Sequence, residues 1–418
     1  MNEHADILII GAGPAGLNAA LAAAPSGARI VLLDDNPLPG GQIWRDGPHA
    51  KLPAQARQLR NQLQGYANVQ LHCATRVISR PAAKQLLVEN DQRGWIIGYA
   101  TLILCTGARE LLLPFPGWTL PGVTGAGGLQ ALIKGGLPVA NERVVIAGSG
   151  PLLLASAATA RKNAAQVVRI AEQASARAVA AFAVQLPRWP HKLVQSLQLF
   201  SPTYRTASHV LAAIGNDRLE GVRLMQQGKI VELACERLAC GFGLIPNTQL
   251  GQALGCTLQG QGIQVDAWQA TSLTEHFAAG ECTGFGGSEL ALVEGSIAGL
   301  SAVGDRKAAE RLWPQRAHWQ GFAAALNRTF ALAPALNTLS EPETLVCRCE
   351  DVPFSALHEH RSWREAKLAT RCGMGACQGR ICGAATAQLF GWQPSAPRPP
   401  YSPARIETLI RVDDRPPA

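Results

Sequence analysis

Ile7-Leu-Ile-Ile-Gly11-Ala-Gly13-Pro-Ala-Gly16 is the stretch that decides the fold of this 418-residue chain. Four apolar residues read as a buried strand, the glycines at G-x-G-x-x-G spacing as a tight turn, and Leu17–Ala24 as the helix that follows. Gly11 permits the turn, Gly13 lets backbone approach a pyrophosphate, and Gly16 lets helix and strand pack closely. Pro14 and Ala15 open the helix, whose N-terminus faces the phosphates. The next strand, Arg29–Leu33, ends at Asp34, placed to accept hydrogen bonds from an adenosine ribose, with Asp35 as the fallback. The expectation is an α/β protein with a dinucleotide site.

A second strand, turn and helix begin at Arg143, where Val144-Val-Ile-Ala runs into Gly148-Ser-Gly150-Pro-Leu-Leu153. Leucine at the third glycine position forces helix and strand to separate or shift. Glu172 lies near the end of the following strand, within reach of a ribose, and no clustered arginines await a 2′-phosphate. This turn favours a degenerate or repurposed domain; NAD(P)H or another adenine nucleotide stays open.

Three further segments select FAD over NAD at the first turn. Gly40-Gly41-Gln42-Ile43 follows the acidic strand end, where a long flavin cofactor needs close backbone approach. Leu102-Ile-Leu-Cys-Thr106-Gly107 ends an apolar strand in a Thr-Gly turn. Ala279-Gly280-Glu281 follows another apolar run. Together these resemble the paired fingerprints of glutathione-reductase-like flavoproteins over residues 5–115 and 238–305. The resemblance implies that Glu281 contacts the ribityl or pyrophosphate part of FAD, and that Ser288–Val293 begin a helix near the isoalloxazine. Disulfide reductases of that family carry Cys-x4-Cys after the Gly-Gly or Cys-x2-Cys in the second domain. Residues 42–50 hold no cysteine, and Cys73 and Cys105 are isolated, which argues against a dithiol reductase.

Of eleven cysteines, five lie between Cys347 and Cys382, as Cys347-Arg-Cys349 and Cys372-Gly-Met-Gly-Ala-Cys377-Gln-Gly-Arg-Ile-Cys382. Two pairs fit the four thiolates of a 2Fe–2S centre. Cys347, Cys349, Cys377 and Cys382 are the favoured ligands, with Cys372 as the spare. Glycines around Cys377 let backbone N–H groups face the cluster sulfurs, and Arg348, Arg371 and Arg380 offset the charge of four thiolates. A structural zinc is the competitor, because four thiolates also suit tetrahedral Zn. The segment resembles the iron–sulfur domain of bacterioferritin-associated ferredoxin, with a longer second spacing.

The expected layout places the FAD-binding domain at residues 1–115 and 236–305, with a second Rossmann-like domain, 116–235, inserted in it. A linker (306–343), a small helical 2Fe–2S domain (344–392) and a Pro-rich tail (393–418) follow; the tail is expected to extend over a surface or partner. Hydrophobic residues make up 47% of the chain and charged residues 16%, against global disorder. The net charge of +8 is scattered with no basic run, against nucleic-acid binding. The first six residues carry no Lys or Arg, so no signal peptide is read, and both long apolar stretches are broken by glycine turns. A cytoplasmic protein without a membrane span is expected, one that meets a membrane only through a complex.

Four stretches carry a wider resemblance: Pro39-Gly-Gly-Gln-Ile-Trp-Arg45, Cys105-Thr-Gly-Ala-Arg-Glu110, Pro114-Phe-Pro-Gly-Trp-Thr-Leu-Pro-Gly122 and Thr370-Arg-Cys-Gly-Met-Gly-Ala-Cys-Gln-Gly-Arg380. Over nearly its full length the chain resembles the α subunits of multi-subunit flavin dehydrogenases: dye-linked proline and hydroxyproline dehydrogenases, opine oxidases, a subunit of hydrogen cyanide synthase, and part of the sarcosine oxidase α chain. The resemblance implies a separate FAD-containing β subunit of amine-oxidase type that oxidises an amino or imino acid, an FMN at the subunit interface in some complexes, and in some a small third subunit. This chain would then relay electrons. It offers no convincing acid/base pair or nucleophile for amine oxidation, and its nine histidines are dispersed. A self-contained NAD(P)H-dependent reductase, and a scaffold whose nucleotide is structural, stand as alternatives.

Overall fold

A computed structural model describes residues 3–48, 50, 52–393 and 396–410. Met1 and Asn2 of the N-terminal reading, and Pro394, Pro416 and Pro417 of the tail, lie outside the described residues. The chain divides into two units. One comprises the chain up to Arg109, Pro246–Ala324 and the chain from Ala396 on; the other comprises Glu110–Ile245 and Ala325–Ser395.

The first unit holds a seven-stranded sheet built from β1 (Glu3–Ile10), β2 (Ile30–Leu33), β3 (Val69–His72), β4 (Arg76–Ala82), β5 (Gln85–Glu89) and β6 (Gly94–Leu104) in the order β3-β2-β1-β6-β5-β4. The seventh strand, His276–Ala278, runs parallel to the end of β6, pairing with Leu102–Leu104. Its parallel part is covered on both faces, which is why β1 reads as an unbroken apolar run. Ile7 and Ile9 pack with Leu17, Ala20 and Ala298 on one face. Leu8 and Ile10 pack with Leu86, Val88 and Leu102 on the other. Helix α1 (Pro14–Ala23) lies against the helix Gly287–Ala302, whose Gly295 and Gly299 meet the Ala15 and Ala19 carbonyls.

The second unit repeats the design with a five-stranded parallel sheet ordered Tyr204–Arg205, Gln166–Glu172, Arg143–Gly148, Arg237–Gly241, Val123–Gly125. An antiparallel sheet of Ser208–Ile214, Gly221–Gln226 and Lys229–Ala234 accompanies it. The fold is therefore α/β with two Rossmann-like modules and a helical C-terminal region carrying the cysteines. The run from Leu238 reads in the sequence as a return to the first module; here Arg237–Gly241 sits in the second sheet between Arg143–Gly148 and Val123–Gly125, and only His276–Ala278 completes the first. A five-residue apolar strand carries no signal of which sheet it joins.

Residues 306–343, expected as a linker, contain the helices Arg306–Glu310 and Trp313–Thr329 and the 3₁₀ turn Pro334–Thr338. The cysteine segment has its own small core of Val346, Val352, Leu357, Trp363, Ala366 and Trp392. Its helix Trp363–Thr370 starts on a Ser362 cap: Ser362 Oγ accepts the Glu365 N–H, and the Glu365 carboxylate reaches back to accept the N–H of Arg361, just before the cap. Trp118, from the Pro114–Gly122 stretch, donates its indole N–H to the Leu345 carbonyl at 2.6 Å and carries Arg348 over its ring. The tail packs on the first unit: Tyr401 N–H donates to the Ile78 carbonyl and Arg405 N–H to the Glu89 carboxylate.

Candidate cofactor sites

The first glycine turn lies at the carboxyl ends of β1, β6 and His276–Ala278, the edge where doubly wound sheets bind ligands. A Cβ on Gly16 would run into the Gly11 carbonyl oxygen, so only glycine lets α1 start this close to β1. Gly11 sits against the Cys105 carbonyl, Gly13 faces Gly41, and Gly280 faces Ala15. Four segments distant in sequence thus converge. Gly13 is the N-cap of α1 and Pro14 its first residue; no side chain caps the helix. A ten-residue helix opening on a glycine without a capping side chain suits a pyrophosphate.

Asp34 is buried, and its carboxylate accepts N–H groups from Ala12 at 2.6 Å and Asn36 at 2.8 Å, as well as the Asn36 amide. It thereby ties the end of β2 to the glycine turn. Asp35 is exposed and meets Asn36, and Gln42 accepts from Arg45. Thr106 and Gly107 are braced by Asn247: Thr106 Oγ1 donates to the Asn247 carbonyl, and the Asn247 amide and N–H return to the Thr106 and Gly107 carbonyls. Burial pushes the Glu281 carboxyl up. Glu294, one helical element later, accepts the Gly280 N–H at 3.0 Å and the Thr283 hydroxyl at 3.4 Å, and burial pushes its carboxyl up to about 7. Neither Asn247 nor Glu294 stands out in the sequence, although an acid inside the apolar run Leu290–Ile297 was a visible clue.

The second turn is filled by its own chain. Ser149 Oγ donates to the Phe330 carbonyl at 2.8 Å, and Gln173 donates to Ser149 Oγ and the Ala331 carbonyl while accepting the Ala333 N–H. The Phe330 ring lies 3.7 Å from where a Cβ on Gly150 would stand and packs edge-on against Phe182. Glu172 is fully buried, accepting the Gly150 and Ala174 N–H groups and the Tyr204 hydroxyl. The Ser149 hydroxyl and the Glu172 carboxylate are thus bonded within the protein, Glu172 holding its turn as Asp34 holds the first.

The five clustered cysteines fall into two groups. Cys347, Cys372 and Cys382 are buried, with sulfurs all within 4.8 Å of one another. Cys349 and Cys377 share a hydrogen bond on the more exposed side. A Cβ on Gly375 would collide with the Cys349 side chain, so the Gly-Met-Gly loop can close over this pair only with glycine there. Burial raises the Cys347 thiol, opposed by N–H groups of Gly373, Glu350 and Cys349. Burial would likewise raise Cys377, but the N–H groups of Ile381, Gly379 and Arg380, with the Cys349 thiol, hold it below the ordinary thiol range. Sulfurs ringed by backbone N–H groups suit a thiolate-bound metal centre. The expected set thus splits into Cys347 with Cys382 and Cys349 with Cys377, and Cys372 joins the first pair.

The sequence profile of the pyridine nucleotide-disulphide oxidoreductases matches residues 5–303. The chain belongs to that family. An opine oxidase subunit from Rhizobium meliloti is 29% identical, over 99% of this chain and 88% of that protein. The HcnB subunit of hydrogen cyanide synthase from Pseudomonas protegens is 29% identical, over 90% of this chain and 89% of that one. Among solved structures, L-proline dehydrogenase from P. horikoshii superposes with a TM-score of 0.67 at 18% identity, covering 98% of this chain and 80% of that chain, and shares the fold. As a member of the pyridine nucleotide-disulphide oxidoreductase family the chain is an FAD-type flavoprotein oxidoreductase, and the opine oxidase and hydrogen cyanide synthase relatives are subunits of multi-subunit enzymes. No helix among the described residues is long and apolar enough to cross a membrane.

Proposed function

We propose that this chain is the electron-transfer subunit of a heteromeric amino- or imino-acid dehydrogenase of the cytoplasm, touching a membrane only through its complex. FAD would sit on Gly11, Gly13, Pro14, Ala15, Gly16, Gly41, Gln42, Thr106, Gly107, Gly280 and Glu281, with Asp34 and Asp35 toward the ribose. A 2Fe–2S centre would take Cys347, Cys349, Cys377 and Cys382. A flavin can accept an electron pair and release it singly to such a centre. Substrate oxidation at a CH–NH or CH–NH2 bond would fall to a partner FAD subunit of amine-oxidase type, with D-hydroxyproline, proline or opines as leading substrates; an interfacial FMN and a small third subunit fit the same arrangement.

The observation that carries this reading is the segment Phe330–Ala333 bonded to the second turn, with no such segment bonded to the first among the described residues. That filling counts against a self-contained NAD(P)H reductase. The equal similarity to the hydrogen cyanide synthase subunit supports a second reading, in which the same relay serves cyanide formation. Both readings are tested by co-expressing the chain with its partner and assaying dye reduction over proline, D-hydroxyproline, opines and an amino-acid panel, with cyanide measured in parallel. Turnover by the complex and none by this chain alone is expected. A correctly flavinated complex that oxidises none of these compounds, or flavin bleaching by NAD(P)H in this chain alone, would overturn it. Zinc without iron and acid-labile sulfide would replace the cluster with a structural metal.

A further inference from the structure

The thiol site holds one more sulfur than a 2Fe–2S centre uses, and the surplus is on one side. The outer side has two thiols, Cys377 in the loop that carries Gly375 and Cys349 packed against Gly375. The inner side has three, Cys347, Cys372 and Cys382, at 1%, 0% and 1% exposure. A centre with two thiolates per iron needs both outer thiols but only two of the three inner ones. Cys347 is fixed by three converging N–H groups, from Gly373, Glu350 and Cys349. The remaining inner place is therefore contested by Cys382, at the start of the helix Cys382–Phe390, and Cys372, in the loop after Arg371. Both are hydrogen-bond partners of each other, and Cys382 also meets Cys347.

We propose that Cys372 is an interchangeable ligand of the inner iron, able to complete the four-thiolate set with Cys347, Cys349 and Cys377 when Cys382 is lost. This rests on the 2Fe–2S reading above. Sulfurs within 4.8 Å of both inner neighbours need only a rotamer change and a small loop movement to exchange on one metal. In the exchange the iron–sulfur bond to Cys382 breaks and one to Cys372 forms. The Cys372 proton passes to the released Cys382 thiolate, and no electron moves. Cys372 would thus stand beside the centre as a reserve ligand, bonded to Cys382 until it is called on.

The test compares iron and acid-labile sulfide per chain, with visible circular dichroism and electron paramagnetic resonance of the reduced protein, in full-length variants. Cys372→Ala is expected to keep wild-type iron. Cys382→Ala is expected to keep at least half of it, with a shifted spectrum. The double variant, and Cys349→Ala or Cys377→Ala alone, should fall below a tenth. FAD content and a cooperative melt serve as folding controls. Should Cys382→Ala fail them, Cys382→Ser keeps the side-chain volume; an all-sulfur spectrum there supports Cys372, whereas the blue-shifted spectrum of a serine-oxygen ligand overturns the proposal. Loss of iron in a folded Cys382→Ala to the level of the double variant also overturns it. Wild-type protein lacking iron and sulfide would instead sink the cluster reading itself.

Discussion

Glu294 brings a carboxyl group into the apolar helix Gly287–Ala302 at 6% exposure, and there it holds the Gly280 N–H beside the first turn. Burial pushes this carboxyl from its ordinary 4.5 up to about 7, only partly opposed by Gly280 and by Arg316. The folded protein therefore binds that proton more tightly than the unfolded chain does. Its contribution to stability is complete below pH 4.5 and is lost as pH rises through about 7, a swing on the order of 3 kcal/mol. Glu294→Gln keeps an acceptor for Gly280 and removes the titration. Thermal melts between pH 4.5 and 8 should show a slope in the wild type that flattens in the variant; equal slopes would mean the carboxyl does not titrate in this window. At this scale the sequence was legible where chemistry is local. Gly11, Gly13 and Gly16 follow from a strand, turn and helix contiguous from Ile7 to Ala24, whereas Asn247 reaches Thr106 across 141 positions and leaves no local trace.

Among elements, the segment after the helix Trp313–Thr329 has the largest consequence for function. Phe330, Ala331 and Ala333 occupy the second turn through contacts with Ser149 and Gln173, about 160 to 180 residues away. Leu153 at the third glycine position already hinted at a turn that had drifted, but what fills it could not be read from spacing. NADH or NADPH is expected neither to bind this chain at millimolar concentration in calorimetry nor to bleach its flavin anaerobically. Phe330→Ala combined with Gln173→Ala should cost about 2 kcal/mol in denaturant unfolding, from lost apolar contact and hydrogen bonds. Unchanged stability would show that the segment merely rests on the turn. The same range of distances explains Arg237–Gly241: strand character is local, but its place between two distant strands is set by the whole sheet.

For the molecule, the two proposed cofactor sites belong to different units with separate cores, the first turn to the sheet around Ile9 and Leu102, the thiols to the small core around Trp363. Each site should then be removable alone. Gly13 is the N-cap of α1 at φ −76, ψ −173, and a Cβ there meets nothing nearer than the Gly41 Cα at 3.8 Å. Gly13→Asp therefore installs a good capping residue, worth about 0.5 kcal/mol to the helix, and sets a carboxylate where the proposed site puts the pyrophosphate. The variant should melt no lower than wild type yet lose FAD more than tenfold while keeping its iron. Cys377→Ala should do the reverse, losing iron and keeping FAD. Absorbance of released flavin and elemental iron measure both losses in one preparation. If FAD and iron fall together in either variant, the two sites are coupled through the fold, and an electron relay built from independently loaded parts would have to be abandoned.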